Sequence, residues 1–150
     1  MARWLILRRE LGANAIDAIK QLYVDKMAEV QTVVSGDGNM AIADTHLAAY
    51  TPRFDTMADG LQASYKCQMI DLELHAVCDY QNRQIAPKFA AICEALEDFC
   101  ARTDLRTHLT SAEDDGIQVD QVTPDAAREE IDDQQFRAIY TLRCMVRSKL

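Results

Sequence analysis

The sequence is short of glycine and proline, with five and three in 150 residues. The many tight turns of a β-sandwich draw on these two residues, so their scarcity makes long helices the economical reading. It also lacks any run of roughly 18 apolar residues, the least that spans a bilayer as a helix. The opening tetrapeptide Trp4-Leu5-Ile6-Leu7 is closed by Arg8-Arg9-Glu10. That is shorter than the apolar core of a signal peptide, and no small-residue cleavage pattern follows. A cytoplasmic, thiol-containing protein is expected, with an assembled particle or complex as its final location. Basic residues are outnumbered, 16 Lys and Arg against 24 Asp and Glu, for a net charge of −8. This excludes a broad basic surface for nucleic acid.

Catalytic motifs are also missing. No G-x-S-x-G, P-loop or G-x-G-x-x-G is present, and Ser35-Gly36-Asp37-Gly38-Asn39 reads as a turn without the Lys-Ser/Thr of a nucleotide cradle. There is no C-x-x-C pair, no H-E-x-x-H and no Glu-x-x-His. No cofactor is expected. His46 and His108 stand alone in the chain and read as surface or capping residues.

What is present is 49% hydrophobic residues, enough for one domain with a core that buries roughly two thirds of the unfolded surface. Asn14 caps a helical pattern through Ile16, Ile19, Tyr23, Met27, Val30 and Val34. Residues 40–50 read as a shorter helix closed by Thr51-Pro52. Wound at 100° per residue, Leu61, Tyr65, Met69, Leu72 and Ala76 share one arc, and Cys67, Ile70, Leu74, Val77 and Cys78 the opposite one. Two opposed apolar arcs predict a central helix packed on both sides. Pro87 opens a stripe of Phe89, Ile92, Cys93, Leu96, Phe99 and Cys100, and Thr123-Pro124-Asp125 has the form of a helix start. Residues 117–122 alternate weakly, but a lone short strand has no visible partner. The expected fold is therefore an all-α bundle of four main helices, about 14–35, 55–82, 87–103 and 124–148, with short extra helices. Residues 1–12 form an apolar N-terminal arm, and 110–123 an acidic connecting loop.

Five cysteines are the most conspicuous chemistry. Cys93 and Cys100 share a helix face but are separated by about 10.5 Å of rise, beyond the roughly 7 Å Cα reach of a disulfide. In a helical hairpin turning near residue 85, Cys78 lies level with Cys93, whereas Cys67 and Cys100, the outer pair, are out of step by four residues or about 6 Å, so one bridge is feasible and two would strain. The residues favour buried thiols first, a bridge second and a metal third. The metal reading draws on His75 with Cys78 and on Asp71 with His75. The hairpin resembles the twin-cysteine coiled-coil-helix-coiled-coil-helix family, with C-x10-C and C-x6-C where that family has C-x9-C on each arm. That resemblance implies a disulfide-stapled hairpin of an oxidising compartment.

Glu94-x-x-Glu97-Asp98 and Glu129-Glu130-x-x-Asp133 resemble the ExxE and ExxD pairs of all-α nucleotide pyrophosphohydrolases. That resemblance implies a Mg²⁺-dependent hydrolase with Glu94, Glu97, Glu130 and Asp133 as metal ligands. On the helical wheel, however, these acids lie off the apolar stripes, as a solvated face does.

Charge is segregated along the chain. Residues 111–133 carry nine acids against Arg128, whereas Arg137, Arg143, Arg147 and Lys149 follow with no acid after Asp133. A solvated acidic face with basic ends is the plain reading, and complementary contact between subunits the sharper one. With the apolar arm, this favours a non-enzymatic interaction subunit of a larger homo- or hetero-oligomer. A ring-forming viral head–tail connector subunit or an accessory subunit of a membrane-bound complex fits. The expected partner-binding residues are Trp4, Leu5, Ile6, Leu7, Arg143, Arg147 and Lys149.

Overall fold

Ile70-Asp71-Leu72-Glu73-Leu74-His75-Ala76 alternates apolar and polar at every step, the period of a half-buried strand. The structure, a computed structural model, describes residues 3–35, 45–56, 67–79, 86–131 and 135–149, and in it this segment is a strand. The described elements run α1 (Arg3–Leu22), β1 (Gln31–Ser35), β2 (His46–Thr56), β3 (Cys67–Asp79), α2 (Ala86–Cys100), α3 (Leu105–Leu109), β4 (Ile117–Pro124), β5 (Arg128–Ile131) and β6 (Gln135–Ser148).

The strands form one mixed sheet in the order β1-β2-β3-β6-β4, with β5 also on β6. Only β1 and β2 pair in parallel; the other pairs are antiparallel. β4 and β5 share one side of β6, β4 along Leu142–Ser148 and β5 along Phe136–Ile139. The amide of Asp125 bridges the break between them, donating to the Thr141 carbonyl at 2.9 Å.

Both helices of useful length pack on one face of this sheet. Strand alternation delivers Leu47 and Ala49, Ile70, Leu72, Leu74 and Ala76, Ala138, Leu142, Cys144 and Val146, and Ile117 with Val119 to that face, where all are buried. α1 answers with Leu7, Leu11, Ala15, Ala18 and Ile19, and α2 with Ile92, Leu96 and Phe99, each at the three-and-four spacing of a helical stripe. Phe89 of α2 meets Phe136 of β6 edge to face, with ring centroids 5.3 Å apart. Gly12 lets α1 sit close to the sheet, because a Cβ there would lie 2.9 Å from Cγ1 of Val34.

The all-α bundle is thus overturned. Of the four expected helices only 87–103 is one, as α2. The expected helix 14–35 begins earlier, at Arg3, ends at Leu22, and gives way to β1. The expected helix 55–82 contains the end of β2 and all of β3, its residues 57–66 and 80–82 lying outside the described set. The expected helix 124–148 is the end of β4, then β5 and β6. Pro124 closes an edge strand, where its missing N–H costs little, rather than opening a helix. The expected arm is the start of α1: residues 3–12 are helical and Leu7 is fully buried in the chain's own core. The expected acidic loop 110–123 contains β4, and its partner is β6. Of the short helix expected at 40–50, residues 45–50 are extended and 40–44 lie outside the described residues, as do 36–39 of the glycine turn.

Candidate functional site

Alternation that sends Leu72 and Leu74 to the helices sends Glu73 and His75 to the opposite face. Antiparallel register then sets side chains beside one another there. One row reads Tyr50, Glu73, Thr141, the next Ala48, His75, Ile139, and the third His46, Val77, Arg137. Tyr50, His75 and Thr141 are all buried, as is His46, expected from the sequence as a surface or capping residue.

The hydrogen bonds in this cluster have one consistent assignment. A guanidinium only donates, so the 3.1 Å contact between Arg137 Nη1 and His75 Nδ1 makes Nδ1 the acceptor. The ring proton therefore sits on Nε2, which donates to Glu73 Oε1 at 2.9 Å. Arg128 of β5 closes on the other carboxylate oxygen of Glu73 at 3.4 Å. The His75 ring stands edge-on to Tyr50, with centroids 4.6 Å apart. Hydrogen bonding from His75 holds the Glu73 carboxyl below its ordinary value, ahead of the opposing effect of burial.

A carboxylate bonded to an imidazole is the supporting half of a general-base arrangement, and the other ring nitrogen must be open to the proton it removes. Here Arg137 fills that nitrogen, so the pair is a closed structural network. Beside it, the hydroxyls of Tyr50 and Thr141 are buried without a hydrogen-bond partner among the described residues.

The residues singled out from sequence are dispersed. Glu94 and Glu97 lie on α2 and Glu130 on β5, while Asp133 is outside the described residues. Glu94 pairs with Lys26 at 3.1 Å, Glu97 accepts from Tyr140 at 3.1 Å, and Glu130 pairs with Arg128 at 3.4 Å. On a strand His75 and Cys78 point to opposite faces, and Asp71 lies two same-face positions from His75, so the helical i, i+3 and i, i+4 pairings disappear. Among the described residues no group of three or more His, Cys, Asp or Glu could hold a metal ion.

All five cysteines are thiols. Cys67 and Cys78 lie on β3, Cys93 and Cys100 on α2, and Cys144 on β6. Burial pushes the Cys93 thiol up to about 11, with Cys78 and Glu97 among the groups that oppose its ionisation. It pushes Cys100 and Cys144 up to about 12. These are poor nucleophiles at neutral pH, since the thiolate is the reactive form.

The basic C-terminal residues find acids or carbonyls of their own chain. Arg147 meets Asp120 at 3.0 Å, Arg143 meets Asp71 at 3.6 Å, and Lys149 donates to the Ser111 carbonyl at 2.6 Å. Of the two charge blocks segregated in sequence, the β4–β6 pairing brings Asp120 and Arg147 together. Of the apolar tetrapeptide, the side chains of Trp4, Leu5 and Ile6 lie outside the described residues, and Leu7 is core. An open groove beside α3 is lined by Thr103, Thr107, Thr110, Arg106, Asp104 and Gln118. Its Asp104 is held by Arg102 at 2.8 Å and His108 at 3.0 Å.

The sheet's lateral edges remain. Among the described residues β1 has β2 on one side and no strand on the other, and β5 has β6 alone. Each edge carries an exposed apolar side chain, Val34 at 37% and Ile131 at 62%. Among the described residues no helix is long and apolar enough to cross a membrane. No family model matches this chain, and no curated protein matches it.

Proposed function

We propose that this chain is a non-enzymatic structural subunit that works within an assembly of its own copies, a ring-forming viral head–tail connector being one architecture of that kind. The observation that carries the reading is the pair of sheet edges that have no further strand among the described residues. Unpaired N–H and C=O rows template association with another chain unless they are covered or blunted, and β1 and β5 each expose an apolar side chain beside such a row.

The chemistry elsewhere supports the same reading. The His75–Glu73 pair is closed by Arg137, Glu94, Glu97 and Glu130 are engaged by partners of this chain, and burial suppresses three of the thiols. The test is the mass of the purified protein in solution, measured by light scattering across a hundredfold range of concentration. Species at multiples of the 16.9 kDa chain mass are expected. A strict monomer throughout contradicts self-assembly.

A further inference from the structure

The two open edges differ in charge. α1 lies against β1 and β2, where Gly12 faces Val34 and Ala49. On a helix turning 100° per residue, Arg9 and Lys20 fall roughly 60–80° beyond Gly12, and both are exposed. Asp17 lies about twice as far round. Asn14, on the opposite side of α1, bonds the Leu109 carbonyl near α3, which leaves Arg9 and Lys20 on the β1 side. At the other edge Arg128, Glu129 and Glu130 are all exposed on β5; Arg128 pairs with Glu130 on the far face, which leaves Glu129 as the uncompensated acid on the helix-bearing face. Glu97 of α2 and Glu129 both bear on Cys93, which puts them together on the helix-bearing face.

Geometry matches the charges. Followed across the sheet, β1, β2 and β6 run one way and β3, β4 and β5 the other. Copies that share a strand axis therefore bring β5 against β1 antiparallel, the more stable pairing. β1 has five residues and β5 four. Val34 faces Gly12, and Ile131 is in register with Phe136, which packs on α2, so both exposed side chains lie on the helix-bearing face. Edge-to-edge joining sets them side by side.

We infer that copies of this chain join head to tail, the acidic β5 edge of one pairing with the basic-flanked β1 edge of the next to continue the sheet. The inference rests on the self-assembling function proposed above and names its contact. Two different patches meet in such a contact, so it is heterologous. It extends until rotation closes it into a ring.

A mixing experiment tests it on the full chain. Val34→Asp blocks one edge and Ile131→Asp the other, and each variant alone should be monomeric. Mixed one to one, the intact β5 edge of the first meets the intact β1 edge of the second. A species of twice 16.9 kDa and nothing larger is expected. Self-association of either single variant at the parent's level, or a mixture that stays monomeric while both variants are folded by circular dichroism, overturns the contact.

If either aspartate variant unfolds, Lys20→Glu with Glu129→Lys carries the same test through surface residues alone. Each alone should weaken association, and mixing should restore it, because alternating copies meet through the parental Lys20–Glu129 contact and through its charge-reversed counterpart. The parent's association should also weaken between about 0.05 and 0.5 M salt, as charge screening requires. A parent that is monomeric at every concentration overturns the function together with its contact. A parent that associates while all four variants associate equally well overturns the contact only.

Discussion

Arg137 donates to Nδ1 of His75 at 3.1 Å, and this one contact makes Nδ1 the acceptor and turns the Nε2–H towards Glu73. The network is then Arg137, His75, Glu73, Arg128 in series, spanning β6, β3 and β5. Arg137→Leu leaves Nδ1 without its donor in a buried setting. Hydrogen bonds involving a charged group contribute about 1.5–3 kcal/mol, and a loss of that size is expected in urea unfolding. Pairing the change with His75→Leu in a double-mutant cycle should give a coupling of about 1 kcal/mol or more; strict additivity would show that the two side chains do not interact.

Glu73 sets a pH dependence. Its carboxyl is depressed from 4.5 when folded, chiefly by the bond from His75, so the folded state binds fewer protons there than the unfolded chain. The resulting stability is complete above about pH 5 and is lost as pH falls through the folded value. Asp104, held low by Arg102, acts in the same direction, so the informative quantity is a difference. Between pH 7 and 3 the parent should lose more unfolding free energy than Glu73→Gln does. Equal losses would remove Glu73 from the account.

The hydroxyls of Tyr50 and Thr141, buried with no partner among the described residues, make an opposite prediction. A buried polar group without a partner costs about 1–3 kcal/mol, so Tyr50→Phe removes a liability and keeps the ring that packs on His75. The variant should be as stable as the parent or up to about 1 kcal/mol more so. A clear loss of stability in thermal melts would mean that the hydroxyl has a partner in solution, an ordered water being the simplest.

Thiol labelling should separate the cysteines. Burial raises Cys93, Cys100 and Cys144 to about 11 to 12, and Cys144 is wholly buried. In iodoacetamide labelling of the native protein at pH 7.5, mapped by mass spectrometry, these three should stay almost unmodified, Cys144 slowest. All five should react in denaturant. Rapid native labelling of Cys144 would contradict its place in the core.

Gly116 is required by its neighbour. A Cβ there would stand 2.3 Å from Cβ of Ser111, whose Oγ accepts from the amide of Ile117 at 3.1 Å. Gly116→Ala should cost about 3 kcal/mol, the upper end for overpacked sites. Gly12→Ala meets only the Val34 methyl at 2.9 Å, and in a Val34→Ala background it should stabilise by about 1 kcal/mol through helix propensity.

The misreading of the fold has a specific physical origin. Two apolar arcs on opposite sides of a helical wheel are how a period of two looks when wound at 100° per residue. Residues 67–79 carried that signal, and so did β6, where Phe136, Ala138, Tyr140, Leu142, Cys144 and Val146 alternate with Arg137, Ile139, Thr141, Arg143, Met145 and Arg147. Ile139 and Met145 on the second face blurred it, because a strand buried on both sides loses its clean alternation. Residues 117–122 alternate only weakly, and their partner is hidden in the sequence because β6 carries apolar residues on both faces. α2 was legible because its neighbours put apolar residues on one side only.

The polar network was less legible. Glu73 and His75 were visible two residues apart, but Arg137 and Arg128 reach them only through the β3–β6 and β5–β6 registers. No local spacing encodes that. The charge blocks of residues 111–133 and 136–150 suggest contacts between subunits, and the β4–β6 pairing joins one pair of their members, Asp120 and Arg147, within the chain.

Amide exchange by mass spectrometry, comparing dilute and associated protein, tests the central claim most directly, since it reads the edge hydrogen bonds themselves. On association, peptides covering Gln31–Ser35 and Arg128–Ile131 should slow by about tenfold or more, a free-energy gain of roughly 1.4 kcal/mol, while β3 at the sheet's centre stays unchanged. Association that leaves both edges at their dilute exchange rates would contradict the account.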